Sequence, residues 1–297
     1  MIGIDWGITQ LRAYQIGADG SILASRAAAK GIMAVKDGAF AATLEAVIGD
    51  WLEREDEPVL MSGMIGSRQG WVEASYVSCP ARPHQVAQVL TEVTWGSGRR
   101  GFICPGLMCR DPNGVPDVMR GEEVQMFGVL EAVADLAASS ICHPGTHSKH
   151  VRVDDGAVTS FRTHMTGEVF GVLREHSILG RTMAEGPPDW GAFEAGVTRA
   201  SQDGGLLHHL FGARTRVLMN ELAPASEADY LSGMLIGHEI DAAGGRGPVL
   251  VVGTEALVER YERAFCLRGR ETRVFNGELA TVRGLRLIHD LAVKRAR

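Results

Sequence analysis

No block of lysines and arginines occurs anywhere in the 297 residues, and 30 Lys+Arg against 36 Asp+Glu leave a formal charge of -6. A general nucleic-acid binder carries a basic stripe or face, so that class is excluded. No uninterrupted apolar run approaches the roughly 18 residues that a bilayer-spanning helix needs, and the opening Met1-Ile2-Gly3-Ile4-Asp5-Trp6 has no basic segment leading into an apolar one. A soluble cytoplasmic protein with no membrane partner is expected. The five cysteines, Cys79, Cys104, Cys109, Cys142 and Cys266, are odd in number and scattered, so reduced thiols are expected. Cys104 and Cys109 have no second pair at zinc-ligand spacing. Short-period repeats and low-complexity segments are absent too, which excludes solenoids and propellers.

What is present is an ordinary globular composition, 45% hydrophobic and 22% charged. Single cores tend to stop growing near ~250–300 residues, so two lobes are expected, with a boundary at 117/118. Residues 2–6, 11–16 and 22–28 read as three strands joined by the turns Gly7-Ile8-Thr9-Gln10 and Ala18-Asp19-Gly20, an antiparallel meander. Phe40, Leu44, Val47, Ile48, Trp51 and Leu52 recur at helical spacing, and that helix is expected to end in the charged run 53–57. A short buried strand follows at 59–61, then an irregular Gly-rich stretch over 62–114 and a long helix over 118–138. The meander theme then returns at 140–143, 147–153 and 158–163. Helices are expected at 167–175, 189–202, 206–211 and 225–243. A strand at 249–252 leads through Gly253-Thr254 into a helix ending near 265, and a last helix covers 279–293.

Three places carry chemistry. Ile4-Asp5-Trp6-Gly7-Ile8-Thr9 sets a carboxylate at a strand end beside a glycine, a pattern suited to a magnesium–phosphate group: the acid takes the metal or its water, and amides and a hydroxyl meet phosphate oxygens. Pro144-Gly145-Thr146-His147-Ser148-Lys149 stands at the matching turn of the second meander, where Gly145 admits close approach, Thr146 and Ser148 bring hydroxyls and Lys149 a point charge. The third is the buried strand 249–252 with Gly253, Thr254 and a helix start. Taken singly each is also an ordinary turn or strand-helix junction. His143, His147 and His150 fall across a strand-turn-strand whose alternating faces scatter them, and His208-His209 has no partner motif. Met33, Met61, Met64, Met126 and Met165 read as core filling.

The order of the three motifs resembles the actin/hexokinase-like ATPases. Longer strings are more specific: 62–71 (Ser62-Gly63-Met64-Ile65-Gly66-Ser67-Arg68-Gln69-Gly70-Trp71), Asp117-Val118-Met119-Arg120-Gly121-Glu122-Glu123, the 144–149 turn, and Met165-Thr166-Gly167-Glu168 followed by His176-Ser177-Ile178-Leu179. Over essentially the whole chain these resemble the 2-dehydro-3-deoxygalactonokinase family. The resemblance implies an α/β fold of two ribonuclease-H-like lobes, each a mixed five-stranded sheet flanked by helices, with an interlobe cleft. It implies ATP and Mg2+, a sugar-acid substrate phosphorylated on its 6-hydroxyl, and no nucleic-acid partner; a homodimer is a possible assembly.

Site roles follow from that resemblance and from what phosphoryl transfer needs, namely positioning, charge neutralisation and a group that orients the attacking hydroxyl. Asp5, Gly7, Thr9, Gly145, Thr146, Ser148, Lys149, Gly253 and Thr254 are expected at the nucleotide, with Asp5 also toward the metal. Glu122, or else Asp117, is expected as base, although acids in a first helical turn also stabilise the helix dipole without any chemistry. Arg68, with Arg120 in reserve, is expected to take the substrate carboxylate, and Gln69, Trp71 and Tyr76 to line the same pocket. The chain departs from the family at Gly7-Ile8-Thr9, where a hydroxyl at position 8 is usual; Thr9 is placed to serve instead. The alternatives are a kinase of a related acid such as 2-keto-3-deoxy-gluconate, or a nucleotide- or sugar-binding relative without turnover.

Overall fold

The computed structural model describes residues 1–52, 57–96, 98–133 and 140–296. The expected end of the first helix and the far end of the long one fall on 53–56 and 134–138 and lie outside the described residues. The elements in order are β1 (Ile2–Trp6), β2 (Leu11–Ile16), β3 (Ile22–Ala28), α1 (Phe40–Ile48), β4 (Val59–Ser62), β5 (Tyr76–Ser78), α2 (Pro83–Ala87), β6 (Thr91–Trp95), β7 (Arg99–Ile103), β8 (Gly106–Arg110), β9 (Pro116–Met119) and α3 (Glu122–Ala132). They continue as β10 (Ser140–His143), β11 (Ser148–Asp154), β12 (Ala157–His164), α4 (Thr166–His176), α5 (Trp190–Ala200), α6 (Gly205–Leu218), α7 (Glu227–Ala243), β13 (Val249–Gly253), α8 (Glu255–Leu267), β14 (Thr272–Asn276) and α9 (Gly277–Ala296). Among these helices none is long and apolar enough to cross a membrane.

Two compact units divide the chain: 1–138 with 152–161 and 277–297, and 139–151 with 162–276. A single cut at 117/118 does not reproduce this partition, because α3 and α9 pack on each other inside the first unit. A Cβ on Gly128 would stand 2.0 Å from the Ala280 carbonyl oxygen, and one on Gly284 1.9 Å from that of Val124. Only glycine at both positions lets the two backbones meet.

In the first unit the sheet runs β3-β2-β1-β4-β7-β6, six strands where five were expected, with a separate three-stranded sheet β5-β8-β9. The stretch 62–114, expected to be irregular, therefore contains four strands and part of both sheets, and residues 118–119, expected to open the long helix, end the strand β9 instead. Central β1 sends Ile2, Ile4 and Trp6 to one face, each fully buried against Phe40, Leu44 and Ile48 of α1. Each such side chain contributes about 1.5–3 kcal/mol by leaving water. On the opposite face Gly3 lies under α9, where a Cβ would meet Leu285 Cδ1 at 2.8 Å.

The second sheet has the order β12-β11-β10-β13-β14, the five strands expected. Of its parallel strands β10, β13 and β14, the middle one, β13, reads as a continuous apolar run because helices cover it. Val249 and Val251 pack with Phe193 and Val197 of α5, Ile236 and Ile240 of α7, and Val258, Tyr261 and Phe265 of α8. Met33 and Met165, read as core, are 72% and 51% exposed, whereas Met61 and Met126 are fully buried.

Candidate active site

In the first unit the carboxyl ends of two parallel neighbours, β1 and β4, converge on Asp5, a placement where open α/β sheets bind ligands. Register sets Asp5 opposite Arg12 on one side and Ser62 on the other. The Arg12 guanidinium stands 3.6 Å from Asp5 Oδ2. Beyond β1 the turn is pinned by its carbonyls: Gly31 N–H donates to Thr9 O at 3.0 Å, Ile32 N–H to Gly7 O at 3.0 Å and Met33 N–H to Ile8 O at 3.3 Å. Thr9 is exposed at its tip.

After β4 the chain bends at Gly63, φ 93°, and before α3 it bends again at Gly121, φ 108°. A Cβ on Gly121 would lie 3.0 Å from Gly63 Cα, so the two glycines bring the start of α3 to the end of β4. The acids of α3 thereby enter the field of Asp5. Burial raises the Asp5 pKa, the Arg12 guanidinium works against that, and the Glu122 carboxylate adds to the rise. Arg120 N–H donates to Glu122 Oε2 at 3.1 Å, and Gly121 N–H to Glu123 Oε2 at 2.6 Å. Asp117 sits elsewhere, on β9 opposite Cys109. Of the two candidate bases, Glu122 is the one electrostatically coupled to Asp5.

Glu123 is fully buried, and its Oε1 has no hydrogen-bond partner among the described residues. Burial first, and Glu122 second, push its pKa up to about 8 from an ordinary 4.5. The folded chain then holds a proton that the unfolded chain has released, so stability falls as pH rises from about 4.5 to about 8 and levels off above. Glu123→Gln fixes the neutral form. It is expected to raise Tm at pH 8 by a few degrees and to leave Tm at pH 4 nearly unchanged, read by thermal unfolding across pH.

The residues expected at the sugar acid divide. Arg68 is 87% exposed and ion-paired with Glu73 at 3.0 Å, and Gln69 beside it is exposed. Trp71 packs edge-on against Trp95 at 5.7 Å, on the first core. Arg120 is only 8% exposed. Its guanidinium lies 4.3 Å from the centre of the Tyr76 ring and donates to Ala74 O at 2.7 Å, while Nε and Nη1 have no partner among the described residues.

In the second unit the turn after β10 and the end of β13 are again at the carboxyl ends of parallel neighbours, Cys142 pairing with Val251. A Cβ on Gly253 would lie 3.7 Å from Pro144 Cδ, and Thr254 beside it is exposed. The start of α4 closes on the same turn. Glu168 N–H donates to Thr146 O at 3.0 Å and the Glu168 carboxylate meets His147 Nε2. A Cβ on Gly167 would stand 2.5 Å from Gly145 O. A cavity of about 310 Å³ opens here, lined among others by Gly145, Thr166, Gly167, Leu257 and Tyr261.

Two expectations fail at this turn. Ser148, expected to offer its hydroxyl to phosphate, is fully buried and bonded to the Tyr261 hydroxyl at 2.8 Å. Lys149, expected as a point charge, is 5% exposed and donates to Thr163 Oγ1 at 2.8 Å. The cause is that both faces of β11 are covered over 148–151, so Ser148 and Lys149 are buried on opposite sides of the strand. Thr146 remains exposed at the tip.

Sequence reasoning did not assign roles to Arg12, Gly63, Gly121, Gly167 and Glu168. Arg12 was findable: a hairpin with Gly7–Gln10 as its turn sets residue 12 opposite residue 5. Glu239 and Tyr261 gave no local signal for this role, because the side-chain hydrogen bonds they make are long-range.

The fold is that of the actin-like ATPases. The activator of 2-hydroxyisocaproyl-CoA dehydratase from Clostridium difficile, solved with bound ADPNP, aligns over 100% of this chain and 97% of its own at TM-score 0.52 and 14% identity. Within that class the assignment is narrower. The family model for 2-keto-3-deoxy-galactonokinase matches residues 5–288, and the chain belongs to that family. It is 36% identical to the 2-dehydro-3-deoxygalactonokinase of Escherichia coli (strain K12) over 292 residues, covering 97% of this chain and 96% of that one. A probable 2-dehydro-3-deoxygalactonokinase of Rhizobium meliloti (strain 1021) is 37% identical over 292 residues, 95% and 94% of the two chains. The crystal structure of a candidate 2-dehydro-3-deoxygalactonokinase from Sinorhizobium meliloti superposes at TM-score 0.89 with 35% identity, covering 97% of each chain.

Proposed function

We propose that this chain transfers the γ-phosphoryl group of ATP to the 6-hydroxyl of 2-keto-3-deoxy-galactonate, releasing ADP and the 6-phosphate. The observation that carries this reading, beyond family membership, is the electrostatic pairing of Asp5, near the carboxyl end of β1, with Glu122, at the start of α3. Transfer forms a bond between the substrate oxygen and the γ-phosphorus, breaks the bond to the ADP oxygen and sends the hydroxyl proton to a base. Glu122 is that base. Its carboxylate is oriented by the Arg120 amide at 3.1 Å, which holds it ready before substrate arrives.

Asp5 fits a magnesium ion. The ion prefers hard oxygen ligands, and the Asp5 carboxylate is repelled by that of Glu122, a repulsion that the Arg12 guanidinium works against. Mg2+ held at Asp5 would neutralise phosphate charge. Thr9 and the amides of its turn, with Thr146 and the Gly145 turn, serve the phosphates. Gly253, beside Pro144, and Thr254 serve the nucleoside end, although neither lines the second unit's cavity, whose volume is within the range of small-molecule sites.

For the substrate carboxylate the better partner is Arg120, not Arg68. Arg120 is buried with two nitrogens unsatisfied, Nε and Nη1, and an incoming carboxylate supplies both a countercharge and an acceptor for one of them. Arg68 already has Glu73 and sits in water, where such a pair contributes little. Tyr76 holds the Arg120 guanidinium flat. Gln69 is near enough in sequence to contact hydroxyls, and Trp71 supports the loop from the core.

A coupled ADP-release assay with the purified protein, Mg2+ and ATP tests the reading. ADP release that depends on 2-keto-3-deoxy-galactonate, and is slower with the gluconate epimer, is the expected result. Faster turnover of the epimer would reassign the substrate, and no release above background with either acid would eliminate the enzyme.

A further inference from the structure

The second unit contains a buried chain of polar groups that the reaction itself does not use. Gly145 N–H lies 3.4 Å from Ser148 Oγ, Ser148 Oγ 2.8 Å from Tyr261 OH, Tyr261 OH 2.6 Å from Glu239 Oε2, and His150 Nε2 2.7 Å from Glu239 Oε1. Ser148, Tyr261, His150 and Glu239 are each at least nine-tenths buried. Proton counting fixes the direction. A carboxylate only accepts, so Tyr261 must donate to Glu239; the Tyr261 oxygen then accepts from the Ser148 hydroxyl, whose own oxygen is left to accept from Gly145. With Glu239 ionised every member is satisfied in this order, and the chain ends on the glycine of the proposed phosphate turn, whose carbonyl oxygen also lies 3.5 Å from Ser148 Oγ.

The Tyr261 ring also lines the cavity that Gly145 lines. We propose that Glu239, His150 and Tyr261 are positioning residues for the Gly145 turn: through Ser148 they fix the backbone that meets the phosphates of a nucleotide, without touching those phosphates themselves. The proposal rests on the phosphotransferase reading above.

The same neighbourhood gathers Cys142, His150 and Glu239, whose ligand atoms lie within 4.8 Å of one another. Their spacing is that of hydrogen bonding and not of a zinc site. Ligands at about 2.0–2.1 Å from a tetrahedral zinc stand about 3.3 Å apart, whereas His150 Nε2 and Glu239 Oε1 are 2.7 Å apart.

Calorimetric titration of the whole protein with ATP, ADP and adenosine, beside Tyr261→Phe and Ser148→Ala, tests the proposal. Loss of the Tyr261 hydroxyl leaves the Ser148 hydroxyl without its acceptor and Glu239 Oε2 without its donor, so ATP and ADP affinity is expected to fall about tenfold while adenosine affinity stays within about twofold. KM for ATP rises by the same factor, and KM for the sugar acid does not move. Ser148→Ala, a smaller change in the core, gives the same pattern and stands in if Tyr261→Phe does not fold. Unchanged ATP binding in both variants, or equal losses for ATP and adenosine, would overturn the proposal, as would one equivalent of zinc in the purified protein. If the unaltered protein binds adenosine and ATP equally or binds neither, the nucleotide reading itself fails, and that outcome is distinct because it appears before any substitution.

Discussion

Asp5→Asn is expected to lower kcat/KM for ATP by about 10²–10³-fold, the cost of removing one preorganised electrostatic contact in phosphoryl transfer. The amide has the shape of the acid, so β1 keeps its packing between β2 and β4. What goes is the negative charge proposed to face the metal and phosphates. Stability is expected to move the other way or not at all, because Asp5 carries a pKa raised mainly by burial and its charge is unfavourable in the unliganded fold. Steady-state kinetics over a range of Mg2+ concentrations, with thermal unfolding of the same samples, separate the two effects. Full activity in a folded Asp5→Asn protein would remove Asp5 from the site.

Glu122→Gln is expected to lower kcat by about 10²–10⁴-fold with little change in KM for ATP, the pattern of a lost proton acceptor and not of lost binding. Asp117→Asn is the informative partner. Asp117 stands on β9 opposite Cys109, and its substitution is expected to change kcat by less than about threefold. The reverse ranking would move the base to Asp117. Parallel kcat measurements on the two variants decide between the acids.

Much of this fold was legible because local chemistry and tertiary structure agree. The first meander is an example: Asp19 Oδ1 accepts from Ser21 N–H at 2.9 Å and Gly20 takes φ 89°, so the turn is set by the residues that announce it. Asp189 likewise caps α5 by accepting from Ala192 N–H at 3.0 Å. The stretch after residue 62 was not legible. Its strands are three to five residues long, and Val93 and Trp95 alternate with polar neighbours for too short a span to stand out among glycines.

The limits of the two units were hidden for a different reason. They depend on α3 meeting α9 at Gly128 and Gly284, a contact between segments far apart in sequence. The site shows the same split. Asp5, Glu122, Gly145 and Thr146 announce themselves by type and setting, whereas Ser148 and Lys149 look like phosphate ligands until their burial is known. Glu239 belongs to no motif of its own on α7, and only the approach of β11 and α8 makes it part of a buried chain.

Phosphorus NMR of the product tests the central claim most directly, because it reads both the transfer and the atom that receives it. Incubation of the protein with ATP, Mg2+ and 2-keto-3-deoxy-galactonate is predicted to give ADP and one phosphomonoester whose phosphorus couples to the two protons of the terminal carbon. Inorganic phosphate as the sole new phosphorus species, or an ester coupled to a single proton, would contradict it.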